Sequence, residues 1–209
     1  SAAVSVGADE VAELLERAGA QVVRTGSRGM LWLEPLVEVE TGAGRVGYGP
    51  VGPEDVDGLV AAGMLEGTAD GLGVVEDLPW MRAQQRLTFA RVGVVDPADP
   101  ADHERHGGLD GLRVALAMDP ADVVTAVTES GLRGRGGAGF PTGIKWKTVA
   151  GAESDLKFVC CNADEGDSGT FADRMLLEGD PFILLTGMTI AAYAVGASEG
   201  YVYVRSEYP

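Results

Sequence analysis

The stretch Gly131-Leu-Arg-Gly-Arg-Gly-Gly-Ala-Gly-Phe-Pro-Thr-Gly-Ile-Lys-Trp146 places six glycines in sixteen positions. Upstream, Pro120–Ser130 has the apolar spacing of a helix, and downstream Lys157–Cys161 reads as a short buried strand. Without Cβ atoms, backbone N–H groups can approach an anion closely, and consecutive glycines admit the positive φ angles of an anion-binding nest. Arg133, Arg135 and Lys145 add cationic donors to a chain that is otherwise acidic. These residues are compatible with a phosphate-binding loop and equally with a flexible surface loop. No Gly-Lys-Ser/Thr follows, and the setting is not the strand-turn-helix of a Rossmann site, so those two generic motifs are excluded.

Further along, Cys161-Asn-Ala-Asp-Glu-Gly-Asp-Ser-Gly-Thr-Phe171 sets an amide and three carboxylates just after the apolar strand. A ligand with both a phosphate and hydrogen-bond donors would reconcile this acidity with the glycine loop. The hydroxyls of a ribose or ribityl chain and the N–H edge of a flavin are such donors. The simpler alternative has Asp164, Glu165 and Asp167 forming a solvated loop or capping the helix that starts near Phe171.

The remaining sequence suggests an α/β (α+β) chain in two parts. Residues 1–78 combine a helix over Asp9–Ala18, strands over Gln21–Arg24, Leu31–Thr41 and Arg45–Tyr48, and a second helix over Pro53–Leu65. Residues 79–119, charged and loop-like at first, read as a linker and entry helix. Residues 120–209 continue with helices over Phe171–Glu178 and Pro181–Val195 and a closing strand over Tyr201–Arg205. A formal charge of −16 disfavours nucleic acid and anionic membranes as partners. No stretch approaches the roughly 20 apolar residues of a membrane span, and Ser1–Glu10 lacks the pattern of a secretory signal, so a cytoplasmic protein is expected. The two cysteines, Cys160 and Cys161, are adjacent, which excludes a disulfide framework and an all-cysteine cluster site.

At its glycine and acidic loops the chain resembles the NADH-binding, FMN-carrying subunit of respiratory complex I and its relatives in NAD-linked hydrogenases and formate dehydrogenases. The resemblance rests on Ser130–Trp146, on Cys161-Asn-Ala-Asp-Glu-Gly166 and on Tyr203-Val-Arg-Ser-Glu-Tyr-Pro209, and runs from about Gln85 to the end. Leu109 stands where the family commonly has tyrosine. The resemblance implies that Gly134, Arg135, Gly136, Gly137 and Ala138 line FMN with Lys145 near it. Asn162, Asp164, Glu165, Gly166 and Asp167 would complete the pocket, and Phe140 and Lys145 would face the dinucleotide. It also implies hydride exchange between NAD(H) and FMN with no catalytic side chain, and no metal held by these residues. A [4Fe–4S] cluster is expected in a C-terminal part that these residues do not include.

Asp167 and Ser168 replace the usual glutamate and proline of complex I members and look like the pattern of formate dehydrogenase and hydrogenase diaphorase subunits. Arg24-Thr-Gly-Ser-Arg-Gly-Met-Leu-Trp-Leu-Glu-Pro35 is similar to part of a thioredoxin-like [2Fe–2S] ferredoxin without its cysteines. Together these features resemble the beta subunit of soluble molybdenum-dependent, NAD-linked formate dehydrogenases. That resemblance implies two partners, an iron–sulfur gamma-type subunit with a thioredoxin-like [2Fe–2S] domain and a molybdenum-containing catalytic subunit. The same module in an NAD-reducing hydrogenase or complex I, and a non-catalytic docking fragment, are the alternatives.

Several residues have simpler readings. The two cysteines fit a buried strand as small core residues, and His103 and His106 fit a solvated charged loop. Trp146 suits an anchor for the glycine loop as well as a cofactor contact. Arg133 could meet a phosphate or pair with a carboxylate. The 209-residue polypeptide alone is expected to bind FMN weakly or not at all; recovery of stoichiometric flavin after gel filtration would contradict this.

Overall fold

The computed structural model describes residues 2–208 as a mixed helix and sheet protein. The chain divides into two compact units, residues 1–94 and 95–209.

In the first unit a short helix α1 (Ala2–Ser5) precedes α2 (Ala8–Arg17). Asp9 and Glu10 open α2 and Arg17 closes it, as the helix dipole favours. Strands β1 (Val37–Thr41) and β2 (Gly44–Tyr48) form the expected hairpin, and β3 (Gly73–Val74) adds to β2, giving an antiparallel sheet in the order β1-β2-β3. Val11 and Leu15 of α2 pack with Tyr48, Val51, Val56 and Met64 in the main core of this unit. The helix expected over Pro53–Leu65 is broken into a 3₁₀ turn at Pro53–Asp55, α3 (Val56–Ala61) and a second turn at Met64–Glu66, with Gly63 at φ 92 between the last two. No strand forms at Gln21–Arg24, and Leu31–Leu33 is a 3₁₀ turn.

Arginine fastens the rest of this unit together. Arg28 is almost wholly buried and donates through Nε and NH2 to both oxygens of Glu38 at 2.8 and 2.7 Å, and again to Glu76 at 2.9 Å. Burial disfavours its charge, yet Glu38 and Glu76 outweigh burial and raise its pKa. Arg86 donates to the carbonyls of Arg28, Phe89 and Val92. Arg45 reaches the carbonyls of Gly93 and Val94. The segment from Pro79 to Val94, which includes α4 (Pro79–Arg82), is therefore folded onto the first unit and is not a linker. Its charge suggested solvent, but Arg86 is spent on main-chain acceptors and Arg82 on Asp77. The outer faces of the 3₁₀ turn at Leu31 and of α4 bring Trp32 and Trp80 together edge to face, with centroids 5.2 Å apart and both rings half exposed.

The second unit begins with α5 (Pro100–Arg105), α6 (Asp110–Leu116) and α7 (Pro120–Glu129), so residues 95–119 also build structure and do not merely connect. A helix not foreseen in the sequence, α8 (Thr142–Ala150), follows the glycine loop. Strand β4 (Phe158–Ala163) then leads through α9 (Ala172–Gly179) and α10 (Pro181–Val195) to β5 (Glu199–Val204), and the two strands pair in parallel with Asn162 opposite Tyr203. Ala115, Val123, Val124 and Ala194 form the core, with Trp146, Ile190 and Tyr193 packed against it. Trp146 of α8 thus anchors the helix. Among the described residues no single helix is long and apolar enough to cross a bilayer.

His103 is 1% exposed, with Nδ1 2.9 Å from Asp180 Oδ1, so the solvated position expected for it is wrong. It lies on the inner face of α5, a short helix that the charge-rich sequence concealed. Conversely, Cys160 is exposed and Cys161 only half-buried, because β5 leaves much of the two-stranded sheet uncovered. Burial, then Asp173 and Cys160, push the Cys161 thiol up, the opposite of an activated thiolate.

Gly143 shows why α8 can cross α7 so closely. A Cβ there would lie 2.5 Å from the Cα of Thr128 and would also collide with that residue's side chain. Gly143→Ala should therefore destabilise the protein by about 1–3 kcal/mol through overpacking. Arg28→Ala, which strands Glu38 in a largely buried site, should cost roughly 3 kcal/mol. Urea unfolding midpoints of both variants against wild type provide the check.

Candidate functional site

The glycine loop is closed at its neck and open at its tip. Arg133 and Pro141 form an antiparallel bridge, Gly134 N–H donates to the Phe140 carbonyl at 2.9 Å, and Thr142 N–H donates to the Leu132 carbonyl at 2.9 Å. Arg133 donates through NH1 to the Gly139 carbonyl at 2.8 Å. Its exposed guanidinium therefore braces the loop through a main-chain carbonyl and does not pair with a carboxylate. Arg135, Gly136, Gly137 and Ala138 form the exposed tip, and Phe140 is 49% exposed beside them. Pro141 precedes the first turn of α8, where Lys145 lies exposed. The loop thus connects two helices, not a helix and a strand, and delivers the N-terminal end of α8 next to the tip.

The six glycines have different physical reasons. Gly131, at φ 69, follows the end of α7, and Gly143 permits the α7–α8 crossing. Gly137 and Gly139 have φ values of 100 and 59, which favour glycine. Gly136 has no positive φ, and a Cβ there would meet nothing within 4 Å. Neither backbone nor packing requires glycine at 136. An empty space kept clear beside exposed amides fits the close approach of a phosphate or ring.

The acidic loop leaves β4 at its carboxyl end, where ligands commonly sit in parallel sheets. Asn162 Oδ1 accepts from Asp164 N–H at 3.1 Å, turning the chain. Asn162, Gly166 and Asp167 are exposed and Asp164 is half-buried, so their polar groups are available to a ligand. Glu165 differs. Its Oε1 accepts from Asp173 N–H and its Oε2 from Arg174 N–H, each at 3.0 Å, so it caps α9. Tyr208 donates to Oε2 at 2.9 Å, and Arg205 donates to the Glu165 carbonyl at 2.8 Å. Burial works against the Glu165 charge, but the amides of Asp173 and Arg174 and the Tyr208 hydroxyl outweigh it and hold the carboxyl below its usual range. Of the two readings of this loop, helix capping holds for Glu165, while Asn162, Asp164 and Asp167 are left facing outward.

The structure therefore joins the second and third sequence motifs directly, through Glu165, Arg205 and Tyr208. Among the described residues no hydrogen bond or ion pair joins the glycine loop to the acidic loop. Nor do three metal-ligating side chains converge among them. The roles of Arg205 and Tyr208 escaped sequence reading, although an arginine and a tyrosine just after a strand that parallels β4 were a usable signal. Arg133 and Gly143 gave none, since their partners are a main-chain carbonyl and a neighbouring helix.

Comparison with known proteins bears on this segment in particular. Over 128 residues, 61% of this chain and 26% of the relative, the chain is 50% identical to the NADP-reducing hydrogenase subunit HndC of Solidesulfovibrio fructosivorans. It is 53% identical over 123 residues (58% of this chain, 29% of the relative) to an NADH-quinone oxidoreductase subunit of Rhizobium meliloti. It is 54% identical over 93 residues (44% and 15%) to the NAD-reducing hydrogenase HoxS subunit alpha of Cupriavidus necator. The chain spans less than a third of the length of each of these relatives. Residues 127–209, which hold both loops and the Arg205–Tyr208 segment, match the family model of the Nuo51 FMN-binding domain.

Proposed function

We propose that this chain carries the flavin-binding part of a diaphorase subunit that passes a hydride between NAD(H) and FMN. Single electrons are then exchanged with iron–sulfur centres of an assembly. The observation that carries this reading is the exposed tip at Arg135–Ala138, where Gly136 keeps open a space that the fold itself does not use. The match of residues 127–209 to an FMN-binding domain supports FMN, and the similarity to NADH-quinone oxidoreductase and NAD-reducing hydrogenase subunits supports NAD(H).

The residues fit such a ligand. Backbone N–H groups of the tip, the exposed Lys145 and the N-terminal end of α8 suit a phosphate. Asn162, Asp164 and Asp167 supply acceptors for ribityl hydroxyls and for a ring N–H. Phe140, half exposed at the neck, offers a face on which a nicotinamide could stack. When bound, the flavin supplies a group able to take up two electrons as hydride and release them singly. The chain's own contribution is to hold, orient and leave accessible, and no side chain need act as nucleophile.

The finer setting we propose is a soluble NAD-dependent formate dehydrogenase. Asp167-Ser168 and the cysteine-free first unit support it, with that unit read as a thioredoxin-like ferredoxin domain without its cluster. The partners are then an iron–sulfur gamma-type subunit and a molybdenum-containing subunit. A second setting, an NAD-reducing hydrogenase, is favoured by the two hydrogenase relatives. Metal analysis of the purified assembly separates them, since molybdenum marks the first and nickel the second.

Gly136→Val tests the site itself. Because a side chain at 136 meets open space, the thermal midpoint should stay within about 2 °C of wild type, as for an unconstrained surface position. FMN affinity should fall at least tenfold. Lys145→Ala, which removes one charge-assisted donor, should weaken FMN by roughly tenfold. Fluorescence titration of the assembly stripped of flavin measures both, and wild-type affinity in the two variants would refute the site.

A further inference from the structure

Tyr208 and Arg205 grip Glu165 at two separate points, its side chain and its main chain. Glu165 has φ 44, a left-handed backbone that a residue with a side chain rarely adopts and that persists only where the surroundings impose it. The surroundings here are well specified. Arg205 is itself tied by Nε and NH2 to Glu207, whose carboxyl is held down to about 2 by that contact. The Arg205 and Arg174 guanidinium carbons each lie 5.4 Å from the centre of the Tyr208 ring. Arg174 is in turn fixed by Glu178 at 2.8 Å, while its amide bonds to Glu165. The loop, α9 and the segment after β5 thus meet at a single residue.

Asp164 lies immediately before Glu165, and Gly166 and Asp167 follow it, so their direction depends on the turn at 165, whereas Asn162 is fixed within β4 opposite Tyr203. We propose that Arg205 and Tyr208 are positioning residues for the flavin site, holding the acidic loop through Glu165 in the conformation that presents Asp164 and Asp167 to the ligand. This inference rests on the flavin reading given above. The side-chain hydrogen bonds of Arg205 and Tyr208 go to Glu165 and Glu207, and none among the described residues goes to Asp164 or Asp167. Burial and the hydrogen bond to Glu165 both raise the Tyr208 pKa, so the hydroxyl keeps its proton and remains the donor across the neutral range.

For Glu165 the dependence on pH has a definite sign. A carboxyl held low in the folded state stabilises the loop above its ordinary titration range, and that stabilisation is lost as pH falls through the lowered folded value. Tyr208→Phe keeps the ring between the two arginines but removes the hydrogen bond. Carboxyl NMR on the 209-residue chain should then show Glu165 titrating at higher pH than in wild type. In the assembly the same change should weaken FMN about tenfold and move the acid limb of NADH oxidation to higher pH. Arg205→Ala should do likewise, and Arg205→Lys should recover part of the loss by restoring a donor to the Glu165 carbonyl. Unchanged FMN affinity and pH profile in Tyr208→Phe and Arg205→Ala, in an assembly where Gly136→Val has lost FMN, would overturn the positioning role alone. Unchanged FMN affinity in all of these variants, Gly136→Val included, would overturn the flavin reading and this inference with it.

Discussion

Glu165 carries more of the local order than any ligand-facing residue around it. Its carboxylate accepts two amides at the start of α9 and the hydroxyl of Tyr208, and its carbonyl accepts from Arg205. Four donors on one residue compensate both its burial and its left-handed backbone. Sequence separation makes the closure expensive in chain entropy, since position 208 lies beyond α9, α10 and β5. The parallel pairing of β4 with β5 offsets much of that expense, because it already brings Ala163 opposite Val204.

The glycine loop follows the opposite principle. Its neck is fixed by a bridge, two main-chain hydrogen bonds and the Arg133 guanidinium, and its tip is left bare. Rigid legs with an unfilled apex make a preorganised cradle, in which little ordering remains to be done when a ligand arrives. The α7–α8 crossing at Gly143 sets the distance between the legs. Gly143 therefore serves helix packing and Gly131, Gly137 and Gly139 serve backbone turns, while Gly134 and Gly136 serve neither.

The elements that were legible in the sequence had local signals. Helix α10 begins at Pro181 after Asp180, whose side chain accepts from Ile183 N–H, and ends before Gly196 at φ 73, so composition alone marked both ends. The turn and second strand of the β1–β2 hairpin, β4 and α7 were read within a few residues for similar reasons, although β1 begins at Val37 and not at Leu31. Helix α8 was missed because Thr142-Gly143 looks like more of the glycine run, and a glycine inside a helix argues against it by about 1 kcal/mol. Its justification is Thr128 on the neighbouring helix, which no local pattern reveals. Arg86 and His103 were obscured in the same way, as charged residues in a charged stretch whose partners lie in the fold. At the site, residue types and the two loops were legible, but the capping of α9 by Glu165 and the contributions of Arg205 and Tyr208 depend on the strand pairing.

Trp32 and Trp80, meeting edge to face on the first unit, make a coupled chromophore that is half in water. The remaining indole, Trp146, is packed into the second unit beside the glycine loop. The protein therefore carries two optical reporters of different character, a half-exposed exciton pair and a partly buried single ring. Near-ultraviolet dichroism follows the first and blue-side fluorescence the second, so the melting of one unit can be watched without a label while the other stays folded.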